Sequence, residues 1–101
     1  MEIQARCTDR NLLLKFSGEV DHHSIKGTIQ ELEQAVEAAL PRNLMIDMEG
    51  VTFMDSSGIA LLLRAQKCMK SLEGSLVVCH VPDQARRVLD AAGISRLIRI
   101  Q

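Results

Sequence analysis

Asp55-Ser56-Ser57-Gly58 is the stretch of this sequence best equipped for chemistry: a carboxylate and two hydroxyls where a helix begins. Asp and Ser are strong N-cap residues because their side-chain oxygens satisfy the unpaired N–H groups of a first helical turn. Those N–H groups, together with the positive end of the helix dipole, also suit an anion such as phosphate. By capping alone, Asp-Ser-Ser is simply a common way to begin a helix. A serine hydrolase fails on geometry. Its nucleophile elbow needs Gly-x-Ser-x-Gly, and Asp55 stands where the first glycine would be if Ser57 were the nucleophile.

The remaining reactive side chains offer less. His22, His23 and His80, with Cys7, Cys68 and Cys79, have no metal-ligand spacing. Cys79 and His80, as neighbours on one strand, are expected to point to opposite faces. No metal and no other cofactor is therefore expected. No phosphate-cradling Gly-rich loop is present, which argues against a nucleotide-binding enzyme. Arg86 and Arg87 read as solvated helix residues, with an acidic partner patch as the alternative. Three cysteines, an odd number without C-x-x-C spacing, point to a reducing compartment and buried free thiols.

The elements that must position Asp55 and Ser56 follow from hydrophobic periodicity. Residues 2–7 and 11–17 are two strand-like runs joined by a turn at Thr8-Asp9-Arg10-Asn11. Residues 24–40 form a helix, with Ser24 as N-cap, Ile25, Ile29, Leu32 and Val36 on one face, and Pro41 ending it. Residues 43–48 are a strand, followed by a turn at Glu49-Gly50. Val51 to Met54 lead into the Asp55 run and a helix reaching about Ser71. Leu76 to Val81 is a nearly unbroken apolar run, as expected of a strand buried on both faces. Pro82 opens a short helix at its first position, Gly93 caps that helix, and residues 97–100 are a last strand. The order β-β-α-β-α-β-α-β implies one α/β domain over 1–101. Its sheet of four to five strands is mostly parallel, with right-handed crossovers, an antiparallel N-terminal strand and packed helices.

On the helix after Asp55, Gly58, Leu61, Leu62, Ala65, Cys68 or Met69, and Leu72 mark the core face. Ile59 and Leu63 lie beside that stripe, either as a broad core edge or as an exposed apolar patch for a partner. Asp21 sits in the loop after the second strand, at the same sheet edge as Ser56. Capping of the first helix and contact with a partner are both open to it.

Composition bounds the class. With 47% hydrophobic and 25% charged residues, the chain has an ordinary globular balance, so wholesale disorder is excluded. A net charge of −1 gives no global pull towards nucleic acid or an anionic membrane. No apolar stretch approaches the roughly 18 residues needed to cross a bilayer, and no signal peptide is visible, so a cytoplasmic location is expected. Charge is uneven along the chain. Residues 1–55 carry five Lys/Arg against ten Asp/Glu, and residues 56–101 carry seven against three.

Two motifs taken together narrow this reading. Gly18-Glu19-Val20-Asp21-His22-His23, followed by Phe53-Met54-Asp55-Ser56-Ser57-Gly58-Ile59, resembles the anti-sigma-factor antagonists of the STAS family, especially their sporulation branch. The likeness runs on through Leu76 to Cys79 and from Gly93 to Ile100. It implies a regulator of transcription and not an enzyme. The unphosphorylated protein would bind an anti-sigma factor that is also a serine kinase, and so free a sigma factor. Phosphorylation of Ser56 by that kinase would end binding, and a PP2C-type phosphatase would reset the switch. With Asp21 at the same sheet edge and Ile59 and Leu63 beside the core stripe of the helix, the expected partner surface is Asp21, Asp55, Ser56, Ser57, Gly58, Ile59 and Leu63. A scaffold or regulatory STAS module of a stress-signalling complex or transporter is the alternative.

Overall fold

A computed structural model describes residues 1–101. β1 (Glu2–Thr8) and β2 (Asn11–Val20) pair antiparallel. Their loop, Asp9-Arg10, has φ of 50° and 65°, the left-handed pair that a two-residue hairpin needs to match strand twist. There follow α1 (Ile25–Ala39), β3 (Asn43–Met54), α2 (Ser57–Ser71), β4 (Ser75–Cys79), α3 (Asp83–Ala91), a 3₁₀ turn at Ile94–Arg96, and β5 (Arg99–Ile100). The five strands stand in the order β1-β2-β3-β4-β5, with every neighbour after the first pair parallel. This is the expected mixed sheet with an antiparallel N-terminal strand.

The linear strand order decides where the core lies. Each β-α-β step advances one strand in the same direction, and right-handed crossovers then carry every helix over one face. Leu12, Leu14, Phe16, Leu44, Ile46, Met48 and Val78 are buried on that face. They form one cluster with Leu32 and Val36 of α1, Leu61, Leu62, Ala65 and Met69 of α2, and Ala85 and Leu89 of α3. The alternate positions Leu13, Met45 and Val77 align across the other face, where Met45 is 40% exposed. The expectation that residues 76–81 are buried on both faces is therefore overturned. The strand stops at Cys79, and no helix covers its second face. An apolar run reads the same in sequence whether or not a second layer is present.

Three further expectations need correcting. Glu49-Gly50 is no turn, because β3 runs straight through it. β3 carries two more residues than β2 over the paired length, inserted between Asp47 and Gly50 and between Val51 and Phe53. These bulges keep Met48, Val51 and Met54 inward at a spacing of three. A Cβ on Gly50 would stand 2.8 Å from the Ser17 Cβ and 2.9 Å from the Phe16 carbonyl, so glycine here answers a close approach. Ser24 does not cap α1 with its side chain; its hydroxyl turns back to Asp21. Not all thiols are buried either, since Cys7 is exposed on the edge strand. Burial pushes the Cys68 and Cys79 thiols up, which keeps both protonated at neutral pH. No helix is long and apolar enough to cross a membrane.

Candidate functional site

The last residues paired between β2 and β3 are Val20 and Met54, so the two loops that follow leave the sheet side by side. The Asp55 N–H donates to the Val20 carbonyl at 3.0 Å, continuing the ladder one step into the loops. The Asp55 carboxylate then ties them together. Its Oδ1 accepts the Ser57 N–H at 2.8 Å, and its Oδ2 accepts the His22 N–H at 3.2 Å. The His22 Nδ1 lies 3.5 Å from the same Oδ2. Asp21 serves its own loop, its Oδ1 accepting the N–H groups of His23 and Ser24, each at 3.1 Å. Both donors precede α1, whose N-cap is Ser24, so Asp21 braces the loop before the helix and caps none of the helix's own N–H groups.

Ser56 occupies the N-cap position of α2, exposed, and makes no capping bond. Ser57 is half-buried in the first turn, and its N–H donates to Asp55. Gly58 is buried, and a Cβ there would come within 2.5 Å of the Met54 side chain. It offers a partner no side chain; it lets α2 settle on β3. Ile59 is half-buried against the core and Leu63 is 38% exposed. The structure thus brings Asp21, Asp55, Ser56 and Ser57 to one edge and puts Ile59 and Leu63 on the helix that starts there.

Two residues escaped the sequence reading. Phe53 is 44% exposed two positions before Asp55, whereas the only other aromatic, Phe16, is fully buried. Its place just before Asp55 was the available signal. Gln84 of α3 grips Met54 from the side, its Oε1 accepting the backbone N–H at 2.9 Å and its Nε2 donating to the carbonyl at 2.8 Å. β3 outruns β4, whose last pair is Asp47 with Cys79. The Gln84 amide replaces the missing strand, and nothing local in the sequence announces this.

The profile of the STAS domain matches residues 2–101. The chain belongs to the STAS family. Among relatives of this STAS domain, the anti-sigma F factor antagonist of Paenibacillus polymyxa is 28% identical over 89 residues, covering 88% of this chain and 76% of that protein. The solved structure of the anti-sigma factor antagonist SpoIIAA in its unphosphorylated form superposes with a TM-score of 0.82 at 21% identity. It covers 99% of this chain and 88% of that one. The Bacillus cell fate determinant SpoIIAA in its phosphorylated form gives 0.73 at 21% identity, covering 99% and 91%. At such identities the structural likeness is one of fold.

Electrostatics complete the site of this STAS domain. The hydrogen bond from the Ser57 N–H, aided by the Ser57 side chain and by His22, outweighs partial desolvation and lowers the pKa of Asp55. Desolvation alone would raise that of Asp21, but the bonds from Ser24 and His23 overcome it and lower it too. Both carboxylates are ionised at neutral pH. The first-turn N–H groups are not left free for an anion as expected. Ser57 donates to Asp55 Oδ1, Gly58 to the Asp55 carbonyl at 3.1 Å and Ile59 to the Ser56 carbonyl at 3.1 Å. An anion at Ser56 would meet a favourable helix dipole and a fixed negative neighbour.

Proposed function

We propose that this chain is an anti-sigma-factor antagonist, a binding switch and not an enzyme, turned off by phosphorylation of Ser56. One observation carries the reading: Ser56 is exposed at the N-cap of α2 and its side chain makes no capping bond, while its neighbour Ser57 is half-buried inside the first turn, its N–H donating to Asp55. Unphosphorylated, the protein binds an anti-sigma factor that is also an ATP-dependent serine kinase, and so releases a sigma factor. The docking surface is Asp21, Asp55, Ser56, Ser57, Ile59 and Leu63, joined by Phe53, with Gly58 beneath as spacer. Phosphate on Ser56 adds about −1.5 to −2 charges beside the ionised Asp55. Repulsion and the cost of desolvating those charges end binding, and a PP2C-type phosphatase restores it. The name of the Paenibacillus polymyxa relative and a SpoIIAA structure in phosphorylated form both support this reading.

The test is transfer of label from ATP by an anti-sigma-factor kinase to wild type, Ser56→Ala and Ser57→Ala. Label should vanish from Ser56→Ala and persist in Ser57→Ala; the reverse pattern would sink the assignment. Leu63→Glu should weaken anti-sigma binding at least tenfold, about 1.4 kcal/mol. Its stability should change by no more than about 0.5 kcal/mol, since the side chain is exposed. Titration calorimetry and urea unfolding read the two effects separately.

A further inference from the structure

We propose that Asp47, Cys79 and His80 form a binding site for a divalent transition-metal ion, Zn²⁺ foremost, on the helix-free face of the sheet. One ligand atom from each of the three lies within 4.8 Å of the other two. The convergence has a clear origin. Asp47 and Cys79 are register partners across β3 and β4, so their side chains leave the same face. β4 ends at Cys79, and His80 adopts a φ of 55°, a left-handed conformation that few residues other than glycine take up. The reversal brings the ring back over the sheet and sets Nδ1 3.2 Å from Asp47 Oδ2. The alternation expected of a continuing strand, which would point Cys79 and His80 apart, does not apply.

The donor set is chemically selective. Thiolate, imidazole and carboxylate together favour Zn²⁺ and similar ions over Mg²⁺ or Ca²⁺, which prefer oxygen alone. Ordinary zinc bond lengths place tetrahedral ligands about 3.4–3.6 Å apart. The His80–Asp47 separation already falls just below that spacing, and the cluster as a whole needs to close by about 1 Å. Asp47 is oriented from behind, because its Oδ1 accepts the Glu49 N–H at 2.9 Å, the outer-shell support that metal carboxylates commonly have. The His80 side chain is 61% exposed, which leaves a way in for the ion and a fourth position for water. Lys15 is the register partner of Asp47 and opposes the cation with one positive charge. The Asp47 carboxylate and the Cys79 thiolate outweigh it. Binding forms a Zn–S bond and releases the Cys79 proton to solvent. The site shares no residue with the Ser56 edge, so it stands or falls independently of the switch.

Co²⁺ serves as a spectroscopic probe for Zn²⁺ in the full, untagged, reduced chain. One equivalent should produce thiolate-to-metal absorption in the near ultraviolet and visible bands of a tetrahedral ion, all abolished by Zn²⁺. The spectrum should persist in Cys7→Ser/Cys68→Ser, lose its thiolate band in Cys79→Ser, and need at least tenfold more metal in Asp47→Asn and in His80→Ala. His80 is exposed, so His80→Ala keeps the proposal falsifiable even if Cys79→Ser fails to fold. Zn²⁺ should raise the melting temperature of wild type and not of His80→Ala. A dissociation constant above about 1 mM for wild type would overturn the proposal. So would binding that survives both Asp47→Asn and His80→Ala or disappears with Cys7.

Discussion

The starts of α1 and α2 look alike in sequence and differ in what holds them. Each follows a parallel strand, each has an aspartate whose carboxylate accepts backbone N–H groups, and each has a glycine in its first turn. At α1 the tie is local. Asp21 bonds only to His23 and Ser24, and Gly27 has nothing within 4 Å of where a Cβ would be. At α2 the start is fastened from three sides. Asp55 reaches across to His22, Gly58 sits on Met54, and Gln84 of α3 holds the Met54 backbone. A helix start secured this way leaves little room to remodel, so under the proposed switch a charge on Ser56 would act at the surface and not through the fold. The α1 start shares only the His22–Asp55 bond with its neighbour and has no counterpart of the Gly58 contact or the Gln84 clasp.

The contrast is open to attack through its own residues, and the largest effect belongs to Gln84. Gln84→Ala leaves the Met54 N–H and carbonyl unpaired in a part-buried setting, where each lost partner costs about 1–3 kcal/mol. Urea unfolding should show a loss of about 2–3 kcal/mol. A loss below about 0.5 kcal/mol would mean that water replaces the amide and that α3 is no brace.

Next come the two glycines, with opposite signs. Gly58→Ala forces the buried Met54 side chain to move, an overpacking cost of about 1–3 kcal/mol that exceeds the gain in helix propensity. Gly27→Ala meets open space on an exposed helical position and should stabilise by about 0.5–1 kcal/mol. Equal responses at the two sites, read from denaturant midpoints at unchanged slope, would erase the difference between the helix starts.

The finest test is in pH. The folded pKa values of Asp21 and Asp55 lie below their unfolded values. Each therefore adds stability that is complete above the ordinary aspartate pKa and is lost as pH falls through the lower folded value. Asp55→Asn should flatten the acid limb of the stability curve more than Asp21→Asn, because Asp55 joins two loops and Asp21 serves one. A larger flattening in Asp21→Asn would invert the comparison.

The sequence by itself determined the order and kind of nearly every element, because strand alternation, helical spacing and turn residues act over a few positions. It marked the hairpin at Asp9-Arg10, the start of α2 at Asp55-Ser56-Ser57, and the halt of α1 before Pro41. It brought Asp21 and Ser56 to one sheet edge through the parallel pairing of β2 and β3. The helix-free face depends on strand order, and no periodicity reports which strands become neighbours. The continuity of β3 past Gly50 depends on the Ser17 backbone lying alongside it. The Asp55–His22 bond and the Gln84 clasp each span about thirty residues, and the backbone reversal at His80 cancels the alternation that would separate it from Cys79. Local propensity decided what each segment is; only packing decided which side chains meet, since contact between distant segments is a property of the assembled sheet.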